Sequence, residues 1–169
     1  GLPRLRGASG RLRLGGACFQ HGCSIQLSGM EPEELIRRLD LAPHPEGGCF
    51  RETWRDRPPG GGRGSGTAIY YLLRAGERSR RHRIDAAEVW HHYAGGPLEL
   101  TIEDTVHVLG PDLAAGERPQ LLVPPGAWQA ARPLGPWTLA GCTVSPAFEF
   151  DFFEFDPDDP PDRPRGDPG

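Results

Sequence analysis

The feature that most constrains the fold of this chain is a long succession of short β-forming stretches, each closed by glycine or proline. Stretches rich in Val, Ile, Thr and aromatic residues recur from residue 49 to residue 155. The 24 glycines and 19 prolines among 169 residues supply turns between them. Many short strands separated by such turns are typical of an all-β sandwich or barrel. We therefore expect an all-β domain.

The predicted strands follow one another closely along the chain. They are Cys49–Trp54, Thr67–Arg74, Arg78–Ile84, Glu88–Ala94, Leu98–Asp104, Thr105–Leu109, Gln120–Val123, Trp128–Arg132, Trp137–Val144 and Phe148–Phe155. In the last of these, aromatic and acidic residues alternate strictly at first, which predicts a strand with one buried face. One short helix is expected before the strands, over residues 31–40. Pro32 suits its first turn, and its apolar stripe is Leu35, Ile36 and Leu39.

The two ends of the chain differ from this domain in composition. Residues 1–29 contain arginines and no acidic residue, and the only methionine, Met30, comes next. We interpret 1–29 as a disordered leader derived from upstream of the natural start, with a mitochondrial transit peptide as the alternative. Residues 156–169 are rich in Asp and Pro and predict a disordered tail. The folded domain should span 31–155.

Charge and composition exclude several classes of function. The net charge of −4 argues against a general nucleic-acid binder. No apolar run approaches the roughly 20 residues that cross a bilayer, so no membrane partner is expected. The four cysteines form no CxxC pair, which favours a reduced, intracellular protein. We expect a cytoplasmic location, or a mitochondrial one if the leader is genuine. No P-loop, nucleophile elbow or dinucleotide fingerprint is present.

The stretch from Gly76 to Gly95 holds half of the six histidines. A lone histidine, His82, is followed six residues later by Glu88, and a strand-like Val-Trp-His-His-Tyr then runs to the closing glycine. Two short strands that bring a histidine and a carboxylate together predict a cavity lining. A histidine oriented by a carboxylate can act as a general base near neutral pH.

The spacing in this stretch resembles the first cupin motif, Gly-x5-His-x-His-x3-4-Glu-x6-Gly, and Pro124-Pro-Gly126 with Gln129 resembles the second. More closely, the chain resembles the DUF985 (cupin_5) family. The matching segments are His44-Pro-Glu-Gly-Gly48, Arg51-Glu52, Thr67–Leu73, Glu88-Val-Trp-His91, Leu109–Leu113 and Val123–Gln129. This resemblance implies a double-stranded β-helix, or jelly roll, and a homodimer. The role of the family is not established.

The chain departs from the cupin pattern at two metal ligands. Ile84 stands where the first motif has its second histidine, and Gln129 where the second motif has its last. The metal set left by the resemblance is His82, Glu88 and Gln129. Imidazole and carboxylate ligands suit Fe, Mn, Ni or Zn, and affinity falls as ligands are lost. We expect no cofactor, with a divalent transition metal as the alternative.

His91 and His92 are the two candidates for completing that set. Strand alternation places Glu88, Trp90 and His92 on one face and His91 on the other, whereas the family pattern draws attention to Trp90-His91. The sequence leaves both alternatives open.

Three functions are compatible with these residues. The first is an isomerase or epimerase acting on a sugar nucleotide or related metabolite, with His82 as base and Glu88 as its partner, by analogy with metal-free cupins. The second is a non-catalytic cupin that binds a carbohydrate or metabolite, and the third is a metal-dependent cupin. The candidate ligand-binding residues are His44, Glu46, Arg51, Glu52, Tyr70, Trp90, His91, His92, Trp128 and Gln129. The aromatic ones among these are also typical of a core or dimer interface.

Overall fold

The computed structural model describes residues 29–160. Within this range one α-helix, α1 (Pro32–Leu39), precedes the strands. The strands are β1 (Ala42–Pro43), β2 (Cys49–Arg55), β3 (Thr67–Arg74), β4 (Ser79–Ile84), β5 (Ala87–Gly95), β6 (Leu98–Ile102), β7 (Thr105–Leu109), β8 (Gln120–Val123), β9 (Gln129–Pro133), β10 (Trp137–Ser145) and β11 (Phe153–Phe155), with a 3₁₀ helix at Phe150–Phe152.

The strands form two antiparallel sheets, which confirms the all-β prediction. One sheet has six strands in the order β1-β2-β3-β10-β5-β8, and the other has five in the order β11-β4-β9-β6-β7. Neighbours in each sheet are mostly distant along the chain, as in a jelly roll. This topology brings β4 and β5, consecutive in sequence, onto facing sheets, so that their side chains converge on one interior.

Alternation along the strands fills much of that interior with apolar side chains. Tyr71 and Leu73 of β3 and Trp90 of β5 project from the six-stranded sheet, and Leu98 and Leu100 of β6 come from the opposite one; all are at most 1% exposed. Side chains that lie between two packed sheets bury most of their surface, and this burial is the main stabilisation of such a fold.

Helix α1 covers the outer face of the six-stranded sheet. Leu35 is 1% exposed and packs with Leu72 and Leu139, which point away from the interior. The helix ends at Asp40, whose backbone is left-handed (φ 53°) and whose N–H bonds the carbonyl of Ile36. The predicted helix therefore agrees with the structure in position and in its buried stripe.

The prediction of a single strand over Phe148–Phe155 was wrong. The chain turns through the 3₁₀ helix, and only Phe153–Phe155 pairs, with β4. The turn is held by Arg55, whose Nη1 donates to the carbonyl oxygen of Phe148 over 2.8 Å. The prediction from alternating residues assumed an extended strand. Packing of Phe148 and Phe153 around Ile84 and Val144 favours a turn instead.

The segment after β11 contacts β4. Residues 156–160, which composition assigned to the tail, form a turn in which Asp156 accepts from Arg81 and Asp159 from Arg78. Most of the predicted leader (1–28) and the rest of the predicted tail (161–169) lie outside the described residues.

Candidate functional site

A cavity opens between the two sheets at the end that carries His82. Its volume is about 80 Å³, which is small for a ligand site. His82 and Ile84 of β4 and Glu88 of β5 line it, with Cys142 of β10 on the same side as Glu88. His82 and Glu88 are 3% and 7% exposed, so their charges are held largely away from water.

The turn that precedes β2 places a second carboxylate, Glu46, beside His82. Gly47 of this turn has φ 116°, and a Cβ there would come within 2.1 Å of the Arg78 carbonyl oxygen, so only glycine fits. The turn is held by the Tyr71 hydroxyl, which donates to the carbonyl oxygen of Gly47 over 2.8 Å. The carboxylate of Glu46 is thereby directed into the cavity.

Glu46 is the direct partner of His82. Its Oε2 lies 2.7 Å from Nδ1 of His82 and accepts from the Ser79 hydroxyl over 2.9 Å. Its Oε1 lies 3.1 Å from Nδ1 of His44. Burial opposes ionisation of Glu46, but the charge and hydrogen bond of His82 outweigh it and lower the carboxyl pKa. Glu46 is therefore a buried carboxylate between two imidazoles.

His82 carries the positive charge of this cluster. Its burial favours the neutral ring, but the charge and hydrogen bond of Glu46, together with Glu88, raise its pKa to about 9. Burial lowers the pKa of His44, so that ring stays neutral. Nδ1 of His82 also lies 2.7 Å from the Arg80 carbonyl oxygen. Because both neighbours of Nδ1 are acceptors, Nδ1 is protonated. Nε2 is therefore the ring nitrogen that can release or take up a proton.

Glu88 belongs to a separate hydrogen-bonded chain. Nε2 of Gln129 donates to Oε2 of Glu88 over 2.5 Å, and the Trp90 indole donates to Oε1 of Gln129 over 2.9 Å. The indole is only a donor, so it fixes which end of the Gln129 amide faces Glu88. Burial, helped by the charge of Glu46, raises the pKa of Glu88 despite the opposing charge of His82.

These contacts alter the roles expected from sequence. His82 and Glu88 share the cavity as predicted, but the structure gives His82 a different carboxylate partner, Glu46. Sequence reasoning had placed Glu46 only among ligand-binding residues, through the His44-Pro-Glu-Gly-Gly48 segment. Its glycine pair was the available signal, because two consecutive glycines indicate a tight turn that brings its neighbours against another strand.

The predicted metal set does not fit this arrangement. The Gln129 amide is occupied by Trp90 and Glu88, so only Nε2 of His82 and the Glu88 carboxylate remain open to a metal within the predicted set. Among the described residues, no group of three or more His, Cys, Asp or Glu side chains is placed to hold a metal ion. No step of the chemistry below is assigned to a metal.

The histidines of β5 lie outside the cavity. His91 contacts the Thr143 hydroxyl at 3.2 Å on the outer face of the six-stranded sheet and stacks on Tyr93. His92 lies beyond Trp90 on β5, and its Nε2 is 3.2 Å from the carbonyl oxygen of Gly96. Neither histidine completes a set with Glu88.

The remaining candidates divide between the cavity and the surface. His44 and Glu52 line the cavity, and Trp90 is core, 1% exposed, against Tyr71. Arg51, Tyr70 and Trp128 lie elsewhere. They contact, respectively, the carbonyl oxygen of Leu39, the ring of Tyr93, and the guanidinium of Arg83.

Sequence reasoning missed part of the cavity wall. Arg55 and Thr67 stand near its mouth, and Phe148, Phe150 and Phe153 form an aromatic side. Cys142 also lines it; burial and the nearby Glu88 charge raise the pKa of its thiol well above the usual value. The alternating Phe residues near the end of the domain were the signal, but they suggested a flat strand.

Comparison with known proteins identifies the family. The chain matches the family described as "Cupin superfamily (DUF985)" over residues 33–156. It is a member of this family. Its fold is accordingly a cupin jelly roll, as the motifs in the sequence predicted.

Solved structures agree with this cupin assignment. A hypothetical protein from Leishmania major is 30% identical, with a TM-score of 0.67 over 74% of this chain and 86% of that chain. A protein from Shewanella oneidensis is 40% identical, with a TM-score of 0.71 over 75% of this chain and 85% of that chain. A cupin-2 domain protein from Rhodospirillum rubrum, at 16% identity and a TM-score of 0.51 over 68% of each chain, shares the fold alone. No curated protein matches.

Residues 29–160 contain no helix of the length and apolar character needed to cross a membrane.

Proposed function

We propose that this cupin binds a small carbonyl compound in its cavity and moves a proton on the carbon next to the carbonyl, as an isomerase or epimerase does. The observation that carries this proposal is the pairing of two differently tuned groups at one cavity. His82 is positively charged and has Nε2 for a ligand, whereas Glu88 is a buried carboxylate with a raised pKa. Environments that give neighbouring groups different proton affinities mark an acid and a base.

The roles follow from the charges. The Nε2–H of His82 donates to the carbonyl oxygen and stabilises negative charge that develops there. Glu88 takes the proton from the adjacent carbon, because a raised pKa makes its carboxylate a stronger base than an exposed one. The C–H electron pair forms a carbon–carbon double bond, and the carbonyl π pair moves onto oxygen. Return of the proton to the opposite face re-forms the carbonyl and completes epimerisation. In a hydroxyketone, return to the former carbonyl carbon, with the hydroxyl proton passing to the enolate oxygen, completes isomerisation.

Glu46 acts through His82. By accepting from Nδ1 it holds the ring with Nε2 free for the ligand and keeps it charged. It is a positioning residue: its loss should lower the pKa of His82 and move the alkaline limit of turnover from about pH 9 down toward the neutral range, rather than change substrate affinity alone. His82 is therefore proposed as the acid, in place of the base expected from sequence.

The test is exchange of solvent deuterium into carbonyl compounds. The full chain is incubated in D₂O with a panel of ketones, aldehydes and sugar derivatives, and incorporation next to the carbonyl is measured by mass spectrometry. We expect incorporation that is lost in Glu88→Gln and His82→Asn. Asparagine retains a donor toward Glu46 but lacks the equivalent of Nε2, and His107→Asn on β7 is the matched control. If compounds bind but none of them incorporates deuterium, the protein is a non-catalytic binding cupin.

A homodimer is also part of the proposal and rests on the family resemblance. Light scattering on the full chain should give twice the mass of the 18.5 kDa monomer. A monomer mass at micromolar concentration would contradict it.

A further inference from the structure

The polar groups of the cavity are largely committed to partners within the protein. Glu46 is contacted by His44, His82 and Ser79, and Glu88 accepts from Gln129. A ligand that took over these hydrogen bonds would leave a buried donor without an acceptor, which costs free energy. Glu46 therefore offers little capacity for additional polar groups of a ligand, and Oε2 of Glu88 is already occupied.

The mouth of the cavity is committed in the same way. Arg55 directs Nε and Nη2 at Glu52, with Nε 3.1 Å from Oε1 and Nη2 2.7 Å from Oε2. Its Nη1 donates to the carbonyl oxygen of Phe148, and the Thr67 hydroxyl accepts from the N–H of the same residue. The charge of Arg55 is thus neutralised by Glu52, and its guanidinium is not available to a phosphate group.

One charged donor of the deep cluster remains for a ligand. His82 is 3% exposed, its Nδ1 faces Glu46 and Arg80, and its Nε2 has no hydrogen-bond partner among the described residues. Since His82 lines the cavity, Nε2 is the donor that the site presents.

The rest of the wall is aromatic and aliphatic. Phe148, Phe150 and Phe153 meet edge to face, with ring centroids 4.9 to 6.2 Å apart, and Phe153 stacks on His82 at 5.1 Å. Ile69 and Val144 also line the cavity. Such a wall matches an apolar ring or a branched alkyl group and gives no hydrogen bonds to hydroxyls.

We infer that the ligand is a small carbonyl compound with one oxygen-bearing end, bound at Nε2 of His82, and an aromatic or branched aliphatic body that packs against the phenylalanine wall. This inference rests on the proposed function and narrows its substrate class. A sugar nucleotide, the substrate suggested by analogy with other cupins, carries many hydroxyl and phosphate groups that this cavity would leave unpaired. The structure therefore assigns the site to an apolar ketone or aldehyde rather than to a carbohydrate.

Binding is measured by calorimetry with three probes on the full chain. Phenylacetone has the proposed character, dihydroxyacetone is a small ketone with a polar body, and uridine diphosphate glucose is a sugar nucleotide. We expect phenylacetone to bind roughly tenfold or more tightly than dihydroxyacetone, because its ring is buried on binding. No binding of the sugar nucleotide is expected.

Two substitutions locate the site. Ile69→Phe fills the cavity and should weaken phenylacetone binding by roughly tenfold or more, since the added ring occupies ligand space. Val106→Phe, at a position 59% exposed on β7, is the matched control and should change nothing. Phe150→Ala provides a second test at a wall residue that is 58% exposed, where truncation leaves the core intact.

The results separate this inference from the proposed function. Tighter binding of dihydroxyacetone or of the sugar nucleotide overturns the apolar class, while His82-dependent deuterium incorporation into dihydroxyacetone would still support proton transfer. Phenylacetone binding that is lost in Ile69→Phe, without deuterium incorporation, supports the class and rejects catalysis. Equal loss of binding in Val106→Phe places the ligand outside the cavity and overturns the inference.

Discussion

The interior of this jelly roll has two ends that are equally buried and chemically opposite. At one end Leu98, Leu100 and Leu109 are each 0% exposed and pack against other apolar side chains. At the other end His82, Glu88 and Gln129 are 0 to 7% exposed and are held by directed hydrogen bonds. The first end tolerates any arrangement that fills the volume, whereas the second requires each donor to meet its acceptor.

The two ends differ in how burial affects the free energy of folding. Apolar burial stabilises the packed end, while a charge moved from water to the interior opposes folding unless it is paired. The cavity end keeps the charges of His82 and Glu46 because each compensates the other. The same pairing leaves Nε2 of His82 without a hydrogen-bond partner among residues 29–160, so one ring holds both the stabilising contact and the atom proposed to meet the ligand.

The largest effect is expected where a buried charge loses its partner. Glu46→Leu should lower the free energy of unfolding by about 3–5 kcal/mol, because the charged His82 and the Ser79 hydroxyl both lose their acceptor. Denaturant unfolding at pH 7 measures this loss. Glu46→Gln should lose less, since its amide oxygen still accepts from His82.

A matched substitution on the surface shows whether burial is the cause. Glu154 accepts from Arg83 with a side chain that is 60% exposed, and Glu154→Leu should cost about 0–1 kcal/mol. Equal losses for the two glutamates would contradict the contrast between buried and exposed pairs.

The packed end should respond to a loss of volume. Leu100→Ala, at a position that is 0% exposed, should lower the free energy of unfolding by about 2–5 kcal/mol through lost burial and the cavity left behind. Leu113→Ala, at 63% exposure, should stay within about 0.5 kcal/mol of the parent. If Leu100→Ala also abolished deuterium exchange without unfolding the protein, the two ends would not be independent.

A smaller effect is expected in the chain that holds Glu88. Gln129→Leu removes the donor to Glu88 and the acceptor of Trp90, and each is left buried without a partner. We expect a loss of about 1–3 kcal/mol. The pKa of Glu88 should rise further, which shifts the pH profile of deuterium exchange to higher pH; an unchanged profile would argue against Glu88 as the base.

A more gradual effect, spread over several pH units, is a dependence of stability on pH. The pKa of His82 is raised from 6.5 to about 9 on folding, so its contribution is fully present below pH 6.5 and is lost as the pH rises through about 9. The free energy of unfolding should fall over this window by at most about 1.4 kcal/mol per pH unit. Glu46 and Glu88 face His82 and their pKa values are lowered by its charge, so both rise in His82→Asn; the difference between the two proteins above pH 6.5 reports the imidazole, because both carboxyls titrate mainly at lower pH. Parallel curves would show that the imidazole is not charged in the folded state.

The sequence was sufficient for the fold because periodicity and turns are local signals. Gly76, His82, Glu88 and Gly95 also stand at spacings typical of a cupin, which located the cavity strands. The sequence did not predict Glu46 as the partner of His82, because this contact joins residues 36 positions apart across a turn. Such a contact depends on the three-dimensional path of the chain, which periodicity does not encode.

Two other errors had physical causes that a sequence pattern cannot express. The strand expected at Phe148–Phe155 assumed that alternating residues lie on a flat ribbon, but the aromatic rings gather into one wall. The choice between His91 and His92 assumed that one of them must reach the cavity. Trp90 precedes both and fills the interior, so His92 is carried past the cavity toward Gly96.

The pairing of β11 with β4 has a consequence for how the protein behaves at high concentration. β4 would otherwise be an edge strand, and β11 covers it through partners such as Phe155 opposite His82. Ion pairs from Arg78 to Asp159 and from Arg81 to Asp156 fasten the segment that follows. An open strand edge is a template for pairing with a second chain. By pairing with β4, β11 protects the edge of this histidine-bearing strand from aggregation. We expect a chain shortened to residue 152 to self-associate through the exposed edge of β4.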